Sequence, residues 1–158
     1  MEYIIKEMNY EKAKQISKWE YDEPYSIYNM DESDINELLN GFYFYVTDTE
    51  NNLLGYYCFG ESAQVPVGKQ MGAYDDKDPT DIGLGINPKL CSQGLGFDFL
   101  SKGLEFARNK GYTNGFRLTV ATFNNRAINV YERVGFKRVN SFNRILEMGK
   151  TEFLVMDL

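Results

Sequence analysis

The segment NPKLCSQGLGFDFL, residues 87–100, has the make-up of a loop that holds a phosphate group through its backbone. Two glycines, Gly94 and Gly96, follow a strand-like stretch and open a helix-like one. The first N–H groups of a helix lack partners within the helix, and the helix dipole attracts an anion. Glycines let such a backbone come close to a pyrophosphate, and Ser92 and Gln93 add neutral donors. These residue types indicate phosphate binding without the usual lysine or arginine.

The same glycines also fit a plain turn from strand to helix, and the loop alone does not decide between the two. The dinucleotide fingerprint G-x-G-x-x-G fails, because Phe99 stands where the third glycine belongs. The phosphate-loop pattern G-x-x-x-x-G-K-[ST] is also missing from the sequence.

The chain contains no histidine, which excludes Ser-His and Cys-His nucleophiles and histidine-ligated zinc. Neither Cys58 nor Cys91 belongs to a C-x-x-C pair, so we expect no metal site. Two cysteines are also too few for a disulfide framework, which favours a reducing compartment. Acid–base chemistry must therefore use carboxylates, tyrosine, lysine, cysteine, a chain terminus or water.

The 158 residues suit a single domain, 1–158, with a full hydrophobic core. The net charge of −6 argues against a nucleic-acid partner. No apolar run reaches the ~20 residues of a membrane span, and the N-terminus lacks the order of a signal peptide. We therefore expect a soluble, cytoplasmic protein that binds neither nucleic acid nor a membrane.

Alternating hydrophobicity and turn residues predict strands at 3–8, 42–48, 53–60, 81–86, 116–121, 136–139 and 152–158. Capping residues and apolar spacing predict helices after Asn9, after Asp31 or Ser33, from Gly94 to Lys110, and from Asn125 to Val134. Residues 61–80 are expected to form a long connection, and a turn is expected at Gly149-Lys150. The predicted fold is α/β (α+β), with a mixed, mostly antiparallel sheet of about seven strands flanked by about four helices.

The segment FNNRAINVYERVGF, residues 123–136, matches the pattern N-x-x-A-x-x-x-Y-x-x-x-G-F at Asn124, Ala127, Tyr131 and Gly135-Phe136. Together with DIGLGINPKLCSQGLGFDFL before it, this segment resembles the GCN5-related N-acetyltransferases, the GNAT superfamily. Members carry a strand, a [Q/R]-x-x-G-x-[G/A] loop, a helix, another strand and then this pattern. The strong resemblance covers about residues 81–136, with one departure: Cys91 stands at the Gln/Arg position.

The resemblance implies that acetyl-CoA lies where two central strands splay apart, at 81–86 and 116–121. Its pantetheine arm would pair with the main chain of Leu84, Gly85 and Ile86, although a strand bulge also explains the glycines here. The remaining implied coenzyme contacts are the loop Ser92, Gln93, Gly94, Leu95 and Gly96, together with Asn124 and Ala127. Lys89, Arg126 and Arg133 are further candidates for the phosphates. No metal is implied.

For catalysis, the resemblance gives Tyr131 the role of general acid towards the departing thiolate. The alternative is a core tyrosine on an apolar helix. Asp81 is the first candidate for a base that acts through water, followed by Asp31 and Asp34. Each of these carboxylates also fits a solvated or capping role.

The resemblance also implies where the acceptor binds, and in this chain the corresponding segments, residues 21–34 and 74–81, are acidic and aromatic. Tyr25, Tyr28 and Asp31 are the candidate contacts for a cationic amine, through charge and cation–π attraction. A solubilising acidic surface explains the same composition. A small amine, an aminoglycoside, a polyamine and a protein N-terminus all remain open as acceptors.

The resemblance therefore implies an acetyl-CoA-dependent N-acetyltransferase that works by direct attack in a ternary complex. A non-catalytic acyl-CoA-binding or sensing module is the alternative, and an NAD enzyme is a third possibility that the failed fingerprint disfavours. The aromatic strand FYFYV (42–46) serves either a homodimer or the core. Cys91 is either a redox-active thiol near the coenzyme or a small loop residue.

Overall fold

A computed structural model describes residues 2–158, which contain seven β-strands and five α-helices. The strands are β1 (Ile4–Glu7), β2 (Tyr43–Thr47), β3 (Leu53–Phe59), β4 (Thr80–Ile86), β5 (Phe116–Ala121), β6 (Lys137–Leu146) and β7 (Gly149–Asp157). The helices are α1 (Tyr10–Ile16), α2 (Ile35–Leu38), α3 (Pro66–Gln70), α4 (Gly96–Asn109) and α5 (Asn125–Val134). Short 3₁₀ helices cover Tyr25–Tyr28, Glu32–Asp34, Gly60–Ala63 and Pro88–Leu90. Within residues 2–158, every helix falls short of the length and apolarity that crossing a bilayer requires.

The seven strands form one sheet in the order β1-β2-β3-β4-β5-β7-β6. β4 and β5 are parallel, with Thr80 paired to Phe116 and Asp81 paired to Arg117. The pairs β1–β2, β2–β3, β5–β7 and β6–β7 are antiparallel. The predicted α/β fold with a mixed, mostly antiparallel sheet is confirmed.

The chain divides into two compact units. Unit 1 consists of Met1–Cys58 and Leu84–Leu95, and unit 2 of Phe59–Gly83 and Gly96–Leu158. The boundary falls inside β4, whose first four residues belong to unit 2 and whose last three belong to unit 1. The single domain over 1–158 stays a prediction.

In unit 1, local side-chain contacts fix the first helix and the hairpin. Asn9 caps α1, because its Oδ1 accepts a hydrogen bond of 2.9 Å from the backbone N–H of Lys12. The β2–β3 turn is held by Asp48, whose Oδ1 accepts from the backbone N–H groups of Glu50 and Asn52, both at 2.9 Å. Asn51 takes the left-handed φ of 64° that the turn needs. The predicted cap at Asn9 is therefore present, and β2 and β3 form a hairpin.

In unit 2, α4 buries an apolar stripe of Phe99, Leu100, Leu104 and Ala107. Several boundaries differ from the prediction: β6 extends to Leu146 rather than ending at residue 139, and β7 begins at Gly149 rather than at residue 152. α4 begins at Gly96 rather than Gly94, and the turn between β6 and β7 lies at residues 147–148, before Gly149 rather than at it. A two-residue turn is enough to reverse this hairpin, so Gly149 is already part of β7.

The predicted connection over residues 61–80 is wrong in part, because it contains α3. A five-residue helix with a glycine in its middle has a weak local signal, so tertiary packing decides whether it forms. A Cβ at Gly68 would lie 2.8 Å from ring atoms of both Phe142 and Tyr74. The helix thus depends on a glycine that lets two aromatic rings of the same unit come close.

Candidate functional site

The glycine loop of unit 1 leaves β4 through the 3₁₀ turn Pro88–Leu90. Ser92 and Gly94 both have left-handed backbone conformations, with φ of 64° and 78°. Ser92, Gln93 and Gly94 are exposed, and a Cβ at Gly94 would have no atom within 4 Å. Gly94 is therefore required by its backbone conformation, and the backbone beside it is open to solvent.

The side chain of Gln93 is already engaged inside this loop. Its Nε2 donates a hydrogen bond of 3.0 Å to the carbonyl of Lys89, and the Lys89 N–H donates to Asn87 Oδ1 at 3.1 Å. Leu95 is half-buried and lies just before α4. Main-chain N–H groups are consequently the donors that this loop presents most directly to an anion.

The end of β4 is fastened to its neighbours in unit 1. The Asn87 N–H donates to the Leu54 carbonyl at 2.9 Å, and Asn87 Nδ2 donates to the Leu53 carbonyl at 3.0 Å. The phenol of Tyr21 donates to the carbonyl of Ile86 at 2.8 Å, across 65 residues of sequence. Burial, and then the nearby Cys91, raise the pKa of Tyr21 well above its ordinary value, so this phenol stays a donor at neutral pH.

Gly85 is a glycine because of Tyr56, which packs against it. A Cβ at position 85 would lie 2.5 Å from Tyr56 Cζ and 2.8 Å from Tyr56 Oη. The ring of Tyr56 also stacks on Trp19, with ring centroids 6.2 Å apart. A neighbouring side chain is thus sufficient to explain this glycine, which the sequence analysis ascribed to a ligand or a bulge.

Cys91 turns towards the end of β4. Its Sγ lies 3.8 Å from the Ile86 carbonyl oxygen and 3.7 Å from that of Asn87, within reach of weak thiol hydrogen bonds. At the position where the family pattern has a long Gln or Arg, this chain thus has a short side chain directed at its own backbone.

The predicted acceptor residues lie in or beside two 3₁₀ helices of unit 1. Tyr25 and Tyr28 are half-buried in the first one. Asp31 is exposed and caps the second: its Oδ1 accepts from the Ser33 N–H at 2.8 Å, while Asp34 Oδ2 accepts from the Asp31 N–H at 2.9 Å. The hydrogen bonds from Ser33 lower the pKa of Asp31, so its carboxylate is ionised at neutral pH.

In unit 2, the residues of the N-x-x-A-x-x-x-Y pattern lie on α5 as predicted. Asn124 is buried and caps the helix, with its Oδ1 accepting from the Ala127 N–H at 3.2 Å. Ala127 and Tyr131 are both half-buried and, being four residues apart, lie on the same helical face. The Tyr131 ring lies 6.3 Å from that of Phe136, centroid to centroid.

The start of α4 packs on α5 within unit 2. A Cβ at Gly96 would lie 3.2 Å from Val130 Cγ2, and the guanidinium of Arg133 lies 4.9 Å from the ring centre of Phe97. Gly96 is therefore the first residue of α4, and its lack of a side chain also allows α4 and α5 to approach each other. Arg133, a candidate for the phosphates, covers an aromatic ring instead of projecting alone into solvent.

Asp81 is bound in a buried ion pair. Arg117 Nε and Nη2 donate to its two carboxylate oxygens at 2.8 and 2.7 Å, and Gln64 Nε2 adds a third bond at 2.9 Å. Arg117 also donates through Nη1 to the Asp76 carbonyl at 2.8 Å. The hydrogen bond to Asp81 raises the pKa of Arg117, which stays charged. The candidate base is thus surrounded by donors, which favours a structural role in joining β4 to β5.

Sequence reasoning missed Tyr56 and Arg117, and it considered Tyr21 only as a tyrosine that could flank the amine, not as a donor to the end of β4. Only Arg117 left a signal, as a charged residue inside the apolar strand FRLTVA, beside a strand that begins with an aspartate. Over residues 2–158, no group of three or more His, Cys, Asp or Glu side chains is gathered as a metal ion would require.

A family model described as "Acetyltransferase (GNAT) family" matches residues 10–136 of this chain. No curated protein matches the chain significantly. Among solved structures, the chain is similar to a GNAT-family acetyltransferase from Bacillus anthracis, with a TM-score of 0.74, 17% identity and coverage of 100% of this chain and 95% of that one.

Two further structures have the same fold. The spermidine/spermine N-acetyltransferase SpeG from Vibrio cholerae, solved in mutant forms, gives a TM-score of 0.69 at 13% identity, covering 99% of this chain and 94% of that one. YncA from Salmonella typhimurium, solved with its cofactor acetyl-CoA, gives 0.68 at 16% identity, covering 99% and 92%.

Proposed function

Because this chain belongs to the GNAT acetyltransferase family, we propose that it moves an acetyl group from acetyl-CoA to the primary amine of a small cationic molecule. The observation that carries the proposal is the position of Tyr131. Its half-buried phenol lies on α5, one turn beyond Ala127 and in register with the cap Asn124. We assign to this phenol the proton donation that thiolate departure requires.

The loop of residues 92–96 fits the coenzyme phosphates through its main chain. Its exposed backbone has no side chain crowding Gly94, and Gln93 and Cys91 are turned towards the protein's own carbonyls. Lys89, in the turn before the loop, and Arg126, on α5, are exposed and positively charged, and we keep them as candidates for the phosphates. We assign the pantetheine arm to the main chain of Leu84–Ile86, with Asn124 and Ala127 as contacts on α5.

The reaction is a direct transfer. The amine nitrogen attacks the thioester carbonyl, a main-chain N–H of β4 stabilises the negative oxygen, and the C–N bond forms as the C–S bond breaks. The departing sulfur takes a proton from the phenol of Tyr131, and the proton that the new amide nitrogen gives up restores the phenol. The ammonium first loses its proton to water held by a carboxylate. Asp81 is the base predicted first, but its bonds with Arg117 favour exposed Asp31 or half-buried Asp34.

The acceptor class follows from charge. Tyr25, Tyr28 and Asp31 place two phenol rings and an ionised carboxylate in one short stretch of unit 1, and the whole chain carries −6. Carboxylates and aromatic faces attract ammonium groups. SpeG, a spermidine/spermine N-acetyltransferase, has the same fold, so a polyamine is the first acceptor to try.

The test has two stages. Thermal unfolding is measured with and without acetyl-CoA, with NADH and ATP as controls; acetyl-CoA at 100-fold excess over Kd is expected to raise the midpoint by roughly 5–10 °C. Thiol release is then followed with spermidine, an aminoglycoside and a short peptide with a free N-terminus. Turnover with spermidine supports the proposal. Binding of acetyl-CoA without turnover of any amine supports a non-catalytic acyl-CoA-binding module, and no binding refutes both.

A further inference from the structure

The hydrogen bond from Tyr21 to Ile86 joins two segments of unit 1 that are far apart in sequence. One partner is the last residue of β4, and the other begins the segment 21–29. That segment is closed on itself, because the Tyr21 N–H donates to Asn29 Oδ1 at 2.8 Å and the Tyr25 N–H donates to the Asp22 carbonyl at 2.7 Å. Tyr21 therefore connects a braced segment to the end of a strand.

We infer that Tyr21 is a positioning residue, which holds the end of β4 for acetyl-CoA and links it to the segment that receives the amine. The inference rests on the proposed function, which assigns the main chain of Leu84–Ile86 to the coenzyme and Tyr25 and Tyr28 to the acceptor. Tyr21 contacts the carbonyl of Ile86 and is assigned no contact with either substrate.

The physical basis is the direction of a carbonyl at a strand end. Past its last ladder bond, the backbone of a strand is fixed only by the donors that its terminal groups find. Here Ile86 has a phenol at 2.8 Å, and the Cys91 thiol contributes only a long contact at 3.8 Å. Tyr21 is thus the main donor to this carbonyl, while the N–H of the same peptide unit, that of Asn87, donates to the Leu54 carbonyl at 2.9 Å, so the two bonds together fix the end of β4.

The same hydrogen bond also predicts a coupling between amine binding and acetyl-CoA binding. An amine that contacts Tyr25 or Tyr28 adds contacts to the segment 21–29, which reaches the end of β4 through the bond from Tyr21 to the Ile86 carbonyl. Because such coupling is reciprocal, acetyl-CoA that orders the end of β4 also favours amine binding. Removing the hydroxyl alone should break the coupling and leave both segments folded.

The experiment compares Tyr21→Phe with Tyr112→Phe, which removes the hydroxyl of another half-buried tyrosine, one that stacks on Phe59 in unit 2. Acetyl-CoA affinity is measured by calorimetry at a temperature where both variants are folded. Loss of one neutral hydrogen bond predicts a Kd about 3- to 10-fold higher for Tyr21→Phe and an unchanged Kd for Tyr112→Phe. An unchanged Kd for Tyr21→Phe, even with a lower unfolding midpoint, overturns the inference.

Amide hydrogen exchange in the ligand-free protein separates this inference from the proposed function. Peptides that cover residues 84–90 are expected to exchange faster in Tyr21→Phe than in the wild type, and to be unchanged in Tyr112→Phe. Equal exchange in all three proteins overturns the inference. If the wild type fails to bind acetyl-CoA, the proposed function falls, and the exchange rates still decide whether Tyr21 positions the end of β4.

Discussion

Tyr56 occupies the space beside Gly85 that the side chain of any other residue at position 85 would need. A Cβ there would lie 2.5 Å from the phenol Cζ, far inside contact distance. The two residues lie on β3 and β4 of the same unit, and the Trp19 ring stacks on that of Tyr56 at 6.2 Å between centroids. Packing against Tyr56 is therefore a reason for a glycine at position 85, independently of any ligand.

Gly85→Ala is expected to destabilise the fold by about 1–3 kcal/mol, because Tyr56 or the strand must move to admit the methyl group. The unfolding midpoint should fall by about 2–10 °C in a calorimetric scan. The control is the same substitution in a Tyr56→Ala background, where the clash is gone and the added penalty of Gly85→Ala should shrink to below about 1 kcal/mol. Equal penalties in the two backgrounds would show that Tyr56 is not the cause.

The sequence predicted the parts of the fold whose signals are local. β5 lies at Phe116–Ala121 and α5 at Asn125–Val134, both as predicted, since a half-buried strand alternates and a capped helix has marked ends. α3 could not be found this way. Its Gly68 is explained by close contacts with Phe142, which is distant in sequence, and with Tyr74, which lies outside the helix.

In the candidate site, too, the sequence predicted the features that have local signals and missed those that depend on long-range contacts. The spacing from Asn124 to Phe136 identified α5 and the place of Tyr131 on it, because a helical motif is a local pattern. The bond between Tyr21 and Ile86 spans 65 residues and leaves no periodic trace. The ion pair of Asp81 also depends on strand pairing, which brings Arg117 beside it in β5.

Asp81→Asn should be among the most destabilising polar substitutions in unit 2. It leaves the guanidinium of Arg117, whose side chain is only 5% exposed, without its carboxylate, and breaking such a buried pair costs about 3–5 kcal/mol. Glu132→Gln is the matched control, since it breaks an exposed pair with Arg138 at 3.2 Å and should cost less than about 1 kcal/mol. Denaturant titration measures both changes. A stable Asp81→Asn protein with strongly reduced kcat would instead favour Asp81 as the base.

Tyr131→Phe should reduce kcat by about 100-fold or more, because the thiolate then leaves without a proton from the phenol. The ring and its packing against Phe136 are kept, so acetyl-CoA affinity and the unfolding midpoint should stay near the wild-type values. Steady-state thiol release gives kcat, and calorimetry gives the Kd of acetyl-CoA. Tyr112→Phe controls for the loss of a hydroxyl elsewhere. Full turnover by Tyr131→Phe would remove this residue from the chemistry.

Asp157, the last residue of β7, should make the protein less stable as the pH rises. Desolvation raises the pKa of its carboxyl, nearby Asp76 and Asp81 act in the same direction, and Arg117 opposes them. Among residues 2–158, Asp157 Oδ1 is a buried side-chain oxygen that has no hydrogen-bond partner. The folded state therefore holds the proton more tightly than the unfolded state, whose pKa is about 3.9.

In the pH range from about 4 up to the raised folded-state pKa, the folded protein binds more protons than the unfolded chain, so stability falls with rising pH and the loss is complete above that range. Asp157→Asn cannot ionise and should unfold about 1–3 °C higher than the wild type at pH 7. The difference should shrink as the pH is lowered towards 4. Glu105→Gln, which removes an exposed carboxylate near Lys102, serves as the control for the loss of one negative charge. A midpoint for Asp157→Asn that tracks the wild type across the whole range would mean that this carboxyl is adequately solvated.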